Sequence, residues 1–348
     1  VYCRPPGFPP PPLSGKASMS EPSIDVVGIG NAIVDIIAQT DDAFIRANNL
    51  NKGAMTLIDA ERASELYARM GPAREISGGS CANTMAGIAA LGGKAAYIGK
   101  VRDDQLGQVF RHDIRATGVR FDTPAAKDGP PTARSFILVT PDAQRTMNTF
   151  LGACVNLGPD DVDQKLVASA AITYLEGYLW DRPQAKQAFL AAARGAHMAK
   201  RRTSLTLSDP FCVDRHRDSF LKLVHEHIDI LFANELEISA LYQTKNFDEA
   251  LQAVRGHCDI AVLTRGPKGS VIVAGDELHV IDAAPLAKLV DTTGAGDLYA
   301  SGFLWGLSRG LGLARCGRIA SIAAAEVISH YGARPEADLK SLVREAAA

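Results

Sequence analysis

Asp291-Thr292-Thr293-Gly294-Ala295-Gly296-Asp297 decides the reading of this 348-residue chain. Small residues at 294–296 let backbone N–H groups crowd around one point. An apolar run with helical spacing, Leu298 to Ser308, follows directly. Those N–H groups therefore sit where a helix dipole favours an anion. A carboxylate, Asp297, stands at the mouth of that anion site. A phosphate cradle beside an acid suits phosphoryl transfer to a hydroxyl, with Asp297 taking the proton. On spacing alone, a tight turn with Asp297 as helix cap competes with that reading.

Other constellations point the same way. Asn31 and Asp35 flank the end of an apolar first strand, Ile24 to Ile29, at the edge where α/β sheets hold ligands. An amide and a carboxylate there can hold a vicinal diol. Gly28-Ile29-Gly30-Asn31 is not a dinucleotide fingerprint, because it lacks the third glycine and leads into a strand-like run. In Gly78-Gly79-Ser80-Cys81-Ala82-Asn83 the glycines permit close backbone approach. Ser80 can cap the next helix, and Asn83, one turn in, faces the same ligand. Asn234-Glu235-Leu236-Glu237 opens a helix after a strand, and Thr264-Arg265-Gly266-Pro267-Lys268-Gly269 joins a strand to a hairpin. Arg145 can neutralise a transferring phosphoryl group. Met147, Phe150 and Tyr178 offer flat apolar contact to a base. Each has a plain alternative: a turn Asn, a surface Asp or Arg, a capped helix, a packed core. No Walker-type phosphate loop is present. His225 and His227 alternate on a helix, so they do not share a face as metal ligands would.

Together these motifs resemble the PfkB (ribokinase-like) family of carbohydrate and nucleoside kinases, from about Asp25 to Ala333. The resemblance implies an anion hole at Gly294, Ala295 and Gly296, with Asp297 as catalytic base and Arg145 as a lid arginine. It implies acceptor binding by Asn31, Asp35, Gly78, Gly79, Ser80 and Asn83. ATP would meet Asn234, Thr264, Gly266, Gly269 and Thr293. Glu237 would order Mg²⁺ through water, and Asp291 and Thr293 a monovalent cation, K⁺. Within the family the chain is most similar to the adenosine kinases, on three features. These are the Asn31/Asp35 pair, the long segment Asp41 to Met55, and the apolar strand ending in Phe150. The expected reaction is transfer of the ATP γ-phosphoryl to the 5′-hydroxyl of adenosine. A sugar kinase acting on ribose or fructose, or an inosine/guanosine kinase, is the near alternative. A nucleoside-binding protein without catalysis is the distant one, and an intact Asp297 counts against it.

Strands and helices alternate along most of the chain, which implies a parallel sheet covered on both faces. Two strand-like excursions, about 33–57 and 132–152, break the alternation. The resemblance makes them a small discontinuous β lid on a ribokinase-like three-layer α/β sandwich. Val1 to Ser18 is a Pro-rich extended tail, so the boundaries are 1–22 for the tail and 23–348 for the kinase domain, with Met19 the expected natural start. Hydrophobic residues make up 47% and charged residues 22%, enough for a large core. A net charge of −2 gives no electrostatic case for nucleic acid. No apolar run is long enough to cross a bilayer. Six scattered cysteines with no C-x-x-C pair suit a reducing cytoplasm. Monomer and homodimer both remain open.

Overall fold

In the strand Ile24-Asp25-Val26-Val27-Gly28-Ile29 the stretch after Asp25 is apolar and buried on both faces, as a strand must be when helices cover both sides of its sheet. In the computed structural model, which describes residues 21–142 and 144–348, it lies inside a nine-stranded sheet. The Pro-rich tail before Glu21 and the start at Met19 lie outside the described residues. In chain order the strands are β1 (Ile24–Ile29), β2 (Ile33–Gln39), β3 (Met55–Leu57), β4 (Arg74–Gly78), β5 (Ala95–Ile98), β6 (Arg120–Phe121) and β7 (Ala133–Val139). They continue as β8 (Arg145–Phe150), β9 (Ala170–Glu176), β10 (Arg202–Thr206), β11 (Ile230–Asn234), β12 (Ile260–Thr264), β13 (Ser270–Ala274) and β14 (Glu277–Ile281).

The large sheet has the order β14-β13-β12-β11-β10-β9-β1-β5-β6. It is parallel from β6 to β12, and β13 and β14 add an antiparallel hairpin at one edge. One face packs on helices Ser80–Ala90, Gln105–Ala116, Ala295–Ser308 and Leu313–Val327. The other packs on Pro183–Met198, Pro210–His227, Glu235–Tyr242 and Phe247–Val254. This is the expected three-layer α/β sandwich. From β1 the chain builds outward through β5 on one side and through β9 on the other. Strand order therefore reverses at β1, and the crevice beyond the C-terminal strand ends is the place for a ligand.

A second sheet, β3-β8-β7-β2-β4, stands over that crevice. Its β2 alternates: Val34, Ile36 and Ala38 are buried against helices Asp42–Ala47 and Ala60–Arg69, leaving Ile33, Asp35 and Ile37 on the other face. The two expected excursions supply β2, β3, β7 and β8. The sequence reading missed β4, because Arg74-Glu75 looks like loop, yet charged residues are common on an edge strand. It also missed the short helix Phe247–Val254. The C-terminal end holds two short helices, Leu339–Leu342 and Arg344–Ala347.

Candidate active site

The two sheets enclose a cavity of about 380 Å³. Its floor is the 291–297 turn. Gly294 is the N-cap of helix Ala295–Ser308, at φ 80°, and a Cβ there would come within 2.8 Å of Ala333 Cα. Only glycine fits both constraints. Nothing lies within 4 Å of where a Gly296 side chain would be, so the first helical turn is open. The N–H groups of Gly296 and Asp297 have no intrahelical acceptor and can serve an anion. Ala295 N–H donates to Thr292 O at 3.2 Å, so the anion hole rests on its neighbours more than on Ala295.

Asp297 lines this cavity at the third position of the helix. Ser80 Oγ donates to its Oδ1 at 2.6 Å and Asn83 Nδ2 to its Oδ2 at 2.9 Å. Burial pushes the Asp297 carboxyl up, while these two hydrogen bonds and the charge of Arg334 pull it back. Ser80 was expected as a helix cap. The cap is Gly79 instead, at φ 94°, where a side chain would strike the Asn31 carbonyl, and this frees Ser80 to hold Asp297.

Asp35 faces the same cavity from β2. Burial raises its pKa to about 7, against the opposing charges of Arg334 and Arg145. Its expected partner, Asn31, is placed differently. Asn31 is 3% exposed and does not line the cavity; its Nδ2 donates to Glu176 Oε1 at 2.6 Å. A carboxylate that closes β9 thus holds the amide nitrogen. Glu176, which the sequence reading missed, also accepts from Cys81 N at 2.8 Å, and burial raises it to about 7. Gly78 likewise stays behind the wall, where a side chain would collide with the Asp35 carboxylate.

Arg334 was missed too. Its guanidinium is buried, donating to Ala82 O at 2.8 Å, Ser77 O at 2.8 Å and Ser77 Oγ at 3.0 Å. It joins the end of β4 to the helix that carries Ser80 and Asn83. An arginine in a Gly-Ala-Arg-Pro loop gave no sequence signal of this.

Period-2 alternation sorts the small sheet's side chains. Met147 and Thr149 line the cavity, as do Ile33, Ser135 and Ile137. Phe150 does not: it falls on the opposite face and packs against the core, so it is no wall for a base. Tyr178, 39% exposed, lines the opposite lip with Phe232. Ser208, at φ 68°, lines the wall in a conformation unusual for a non-glycine residue, and the sequence reading passed over it.

A second cavity, of about 420 Å³, adjoins the first. Gly266 and Gly269 line it as expected. Its apolar sides are Ala283, Leu286, Leu289, Ala324 and Ile328, which no motif had flagged. Thr264, Gly296 and Tyr299 border both cavities, while Asn234 and Thr293 belong to the first.

Glu237 suits a Mg²⁺-ordering role. It lines the first cavity, 6% exposed, and burial raises it to about 7. Asn234 N and Nδ2 each donate to one of its oxygens, at 3.0 and 2.7 Å, so one lone pair per oxygen stays open for water. Asp291 does not suit K⁺. Its Oδ1 accepts from Thr293 N and Oγ1 at 3.1 and 2.8 Å, and its Oδ2 from Gly332 N at 3.2 Å. Arg145, on the cavity face of β8, pairs with the same Oδ2 at 2.7 Å. All four lone-pair directions are taken.

Known proteins are similar to this chain in sequence and fold. Residues 47–339 match the pfkB family carbohydrate kinase family. An adenosine kinase structure from Sinorhizobium meliloti is 54% identical, with TM-score 0.86, covering 93% of this chain and 99% of that one. A probable sugar kinase structure from Rhizobium etli is 53% identical, with TM-score 0.87, covering 93% and 98%. An ATP-dependent ribose-1-phosphate kinase of Halopiger xanaduensis is 29% identical over 75% of this chain and 83% of its own length. With an acid lining the first of two adjoining cavities and a match over most of its length, this chain belongs to the pfkB family of kinases, phosphotransferases with an alcohol group as acceptor.

Proposed function

We propose that the protein transfers the γ-phosphoryl group of ATP to the 5′-hydroxyl of adenosine, giving AMP. The observation that carries this reading is the meeting of two cavities at one anion-binding turn, with Asp297 facing the first. The apolar second cavity suits the adenine of ATP. The first has a polar floor and an apolar upper wall of Ile137, Met147, Phe232 and Tyr178. A nucleoside uses both parts, whereas a lone sugar leaves the wall facing water. The similarity to an adenosine kinase at 54% identity supports the same acceptor.

In this reading Asp35 accepts hydrogen bonds from the ribose hydroxyls. Asp297, held by Ser80 and Asn83, takes the proton of the 5′-hydroxyl as it attacks. The first-turn N–H groups, Gly296 above all, hold the phosphoryl oxygens as charge develops. Mg²⁺, when bound, neutralises phosphate charge; Glu237 and Asn234 would orient its water. The small sheet acts as the lid, excluding water and so suppressing ATP hydrolysis.

A sugar acceptor is the second reading, since the 53% identical structure is described as a probable sugar kinase. ADP production with Mg-ATP is measured against adenosine, inosine, ribose and fructose, with 5′-deoxyadenosine as control. Adenosine should dominate and the deoxy compound should compete without reacting. If ribose or fructose reacts far faster than adenosine, the acceptor assignment is wrong.

A further inference from the structure

We propose that Arg145 is a built-in cation for the anion-binding turn, so that turnover requires no added monovalent cation. The proposal rests on the chain's acting as an ATP-dependent kinase, whichever acceptor it uses.

Asp291 stands three residues before Gly294, the N-cap of the helix whose first N–H groups would hold phosphate. An uncompensated, buried carboxylate so close in the chain opposes an anion there, because water screens it poorly. Something must neutralise it. The guanidinium of Arg145 does so, with both side chains 8% exposed and their atoms 2.7 Å apart. Thr293 and Gly332 fill the remaining lone pairs with fixed donors. A metal cation arriving at this carboxylate would have to displace one of them and sit against a like charge. The pair also spans two bodies: Arg145 rides on β8 of the small sheet, and Asp291 precedes the catalytic helix. The ion pair therefore ties the small sheet to the turn. Arg145 is then a positioning residue for the turn, acting on the phosphoryl group through Asp291.

The test compares KCl with tetramethylammonium chloride, a cation too large for the site, each at about 100 mM so that screening is equal. The wild-type protein should show kcat within about twofold in the two salts and the same melting temperature, because its ion pair supplies the charge. Arg145→Met should lose roughly tenfold or more in kcat in tetramethylammonium, as expected for removing charge support from an anion hole. KCl should restore part of that loss and raise the melting temperature of this variant alone. Arg145→Lys should stay indifferent to K⁺. Strong activation of the wild-type protein by K⁺ overturns the proposal, and so does an Arg145→Met protein equally impaired and equally stable in both salts. Should Arg145→Met not fold, the wild-type protein and Arg145→Lys still decide. The melting arm needs no substrate, so it reads the ion dependence even if no acceptor is phosphorylated.

Discussion

Acidifying the buffer from pH 8 to pH 6 should weaken adenosine binding about tenfold, through one carboxyl group. Asp35 is the carboxylate proposed to accept from the ribose hydroxyls, and burial lifts its pKa from 3.8 to about 7. Arg334 and Arg145 oppose that rise and Asp297 adds to it. A diol needs the ionised form, which accepts at every lone pair. One unit below the pKa about a tenth of the protein carries it, and one unit above about nine-tenths. The apparent affinity scales with that fraction, so the loss is about tenfold, or about 1.4 kcal/mol. Binding should release close to one proton at pH 6 and almost none at pH 8. Titration calorimetry without ATP, in buffers of different ionisation enthalpy, reads both quantities. Asp35→Asn should bind weakly and with no slope. Glu176 and Glu237 also have pKa values of about 7, so the variant is essential. A flat wild-type profile, or a slope that survives in Asp35→Asn, refutes the assignment of Asp35 to the diol.

Three further outcomes are expected. Asp297→Asn should lower kcat by roughly 10²–10⁴-fold while adenosine binding by calorimetry changes little, because the amide keeps the shape and loses the base. Arg334→Met leaves Ser77 O and Ala82 O without their donor and should lower stability by about 3 kcal/mol in denaturant titration. The Arg334 charge lowers the pKa of both Asp35 and Asp297, so its removal should also move the acid limb of kcat/KM to higher pH, and Arg334→Lys should move it back. Gly294→Ala forces a left-handed backbone on a residue with a Cβ, at about 1–2 kcal/mol, and drives that Cβ onto Ala333; its melting temperature should fall and its affinity for ATP with it.

The sequence was most legible where chemistry is compressed into a few consecutive residues. The 291–297 turn reads as an anion site because backbone N–H groups, helix dipole and acid are neighbours in the chain. Asn83 was readable because one helical turn brings it round to the glycines. What escaped was assembled by topology. Glu176 and Cys81 are 95 residues apart, and Arg334 and Ser77 257 apart, so no local pattern joins them. One signal was available for Glu176, an acid terminating the apolar run of β9 at the ligand edge of the sheet. Phe150 shows a different failure. Its strand was read correctly, but which face it takes depends on register, and a shift of one residue separates the cavity wall from the core.

The division of the site between two halves of the chain accounts for relatives that share chemistry but are named for different acceptors. The second cavity, the 291–297 turn and the proposed base come from Thr264 onward, from the end of β12, the segments flanking the β13–β14 hairpin and the last long helices. The first cavity, the proposed acceptor site, is lined by β2, β7, β8, residues 79–83, the loops after β9 and β10, and the end of β11. Thr264, Gly296 and Tyr299 border both cavities, and Asp297 lines the first, where Ser80 and Asn83 fix it. Changing Met147, Ile137 or Tyr178 alters what fits above Asp35 without disturbing the turn that holds phosphate. The acceptor half can therefore vary among sugars and nucleosides while the donor half stays the same. On the proposed function, Asp35 and Arg145, both carried by the small sheet, meet the turn from the acceptor side.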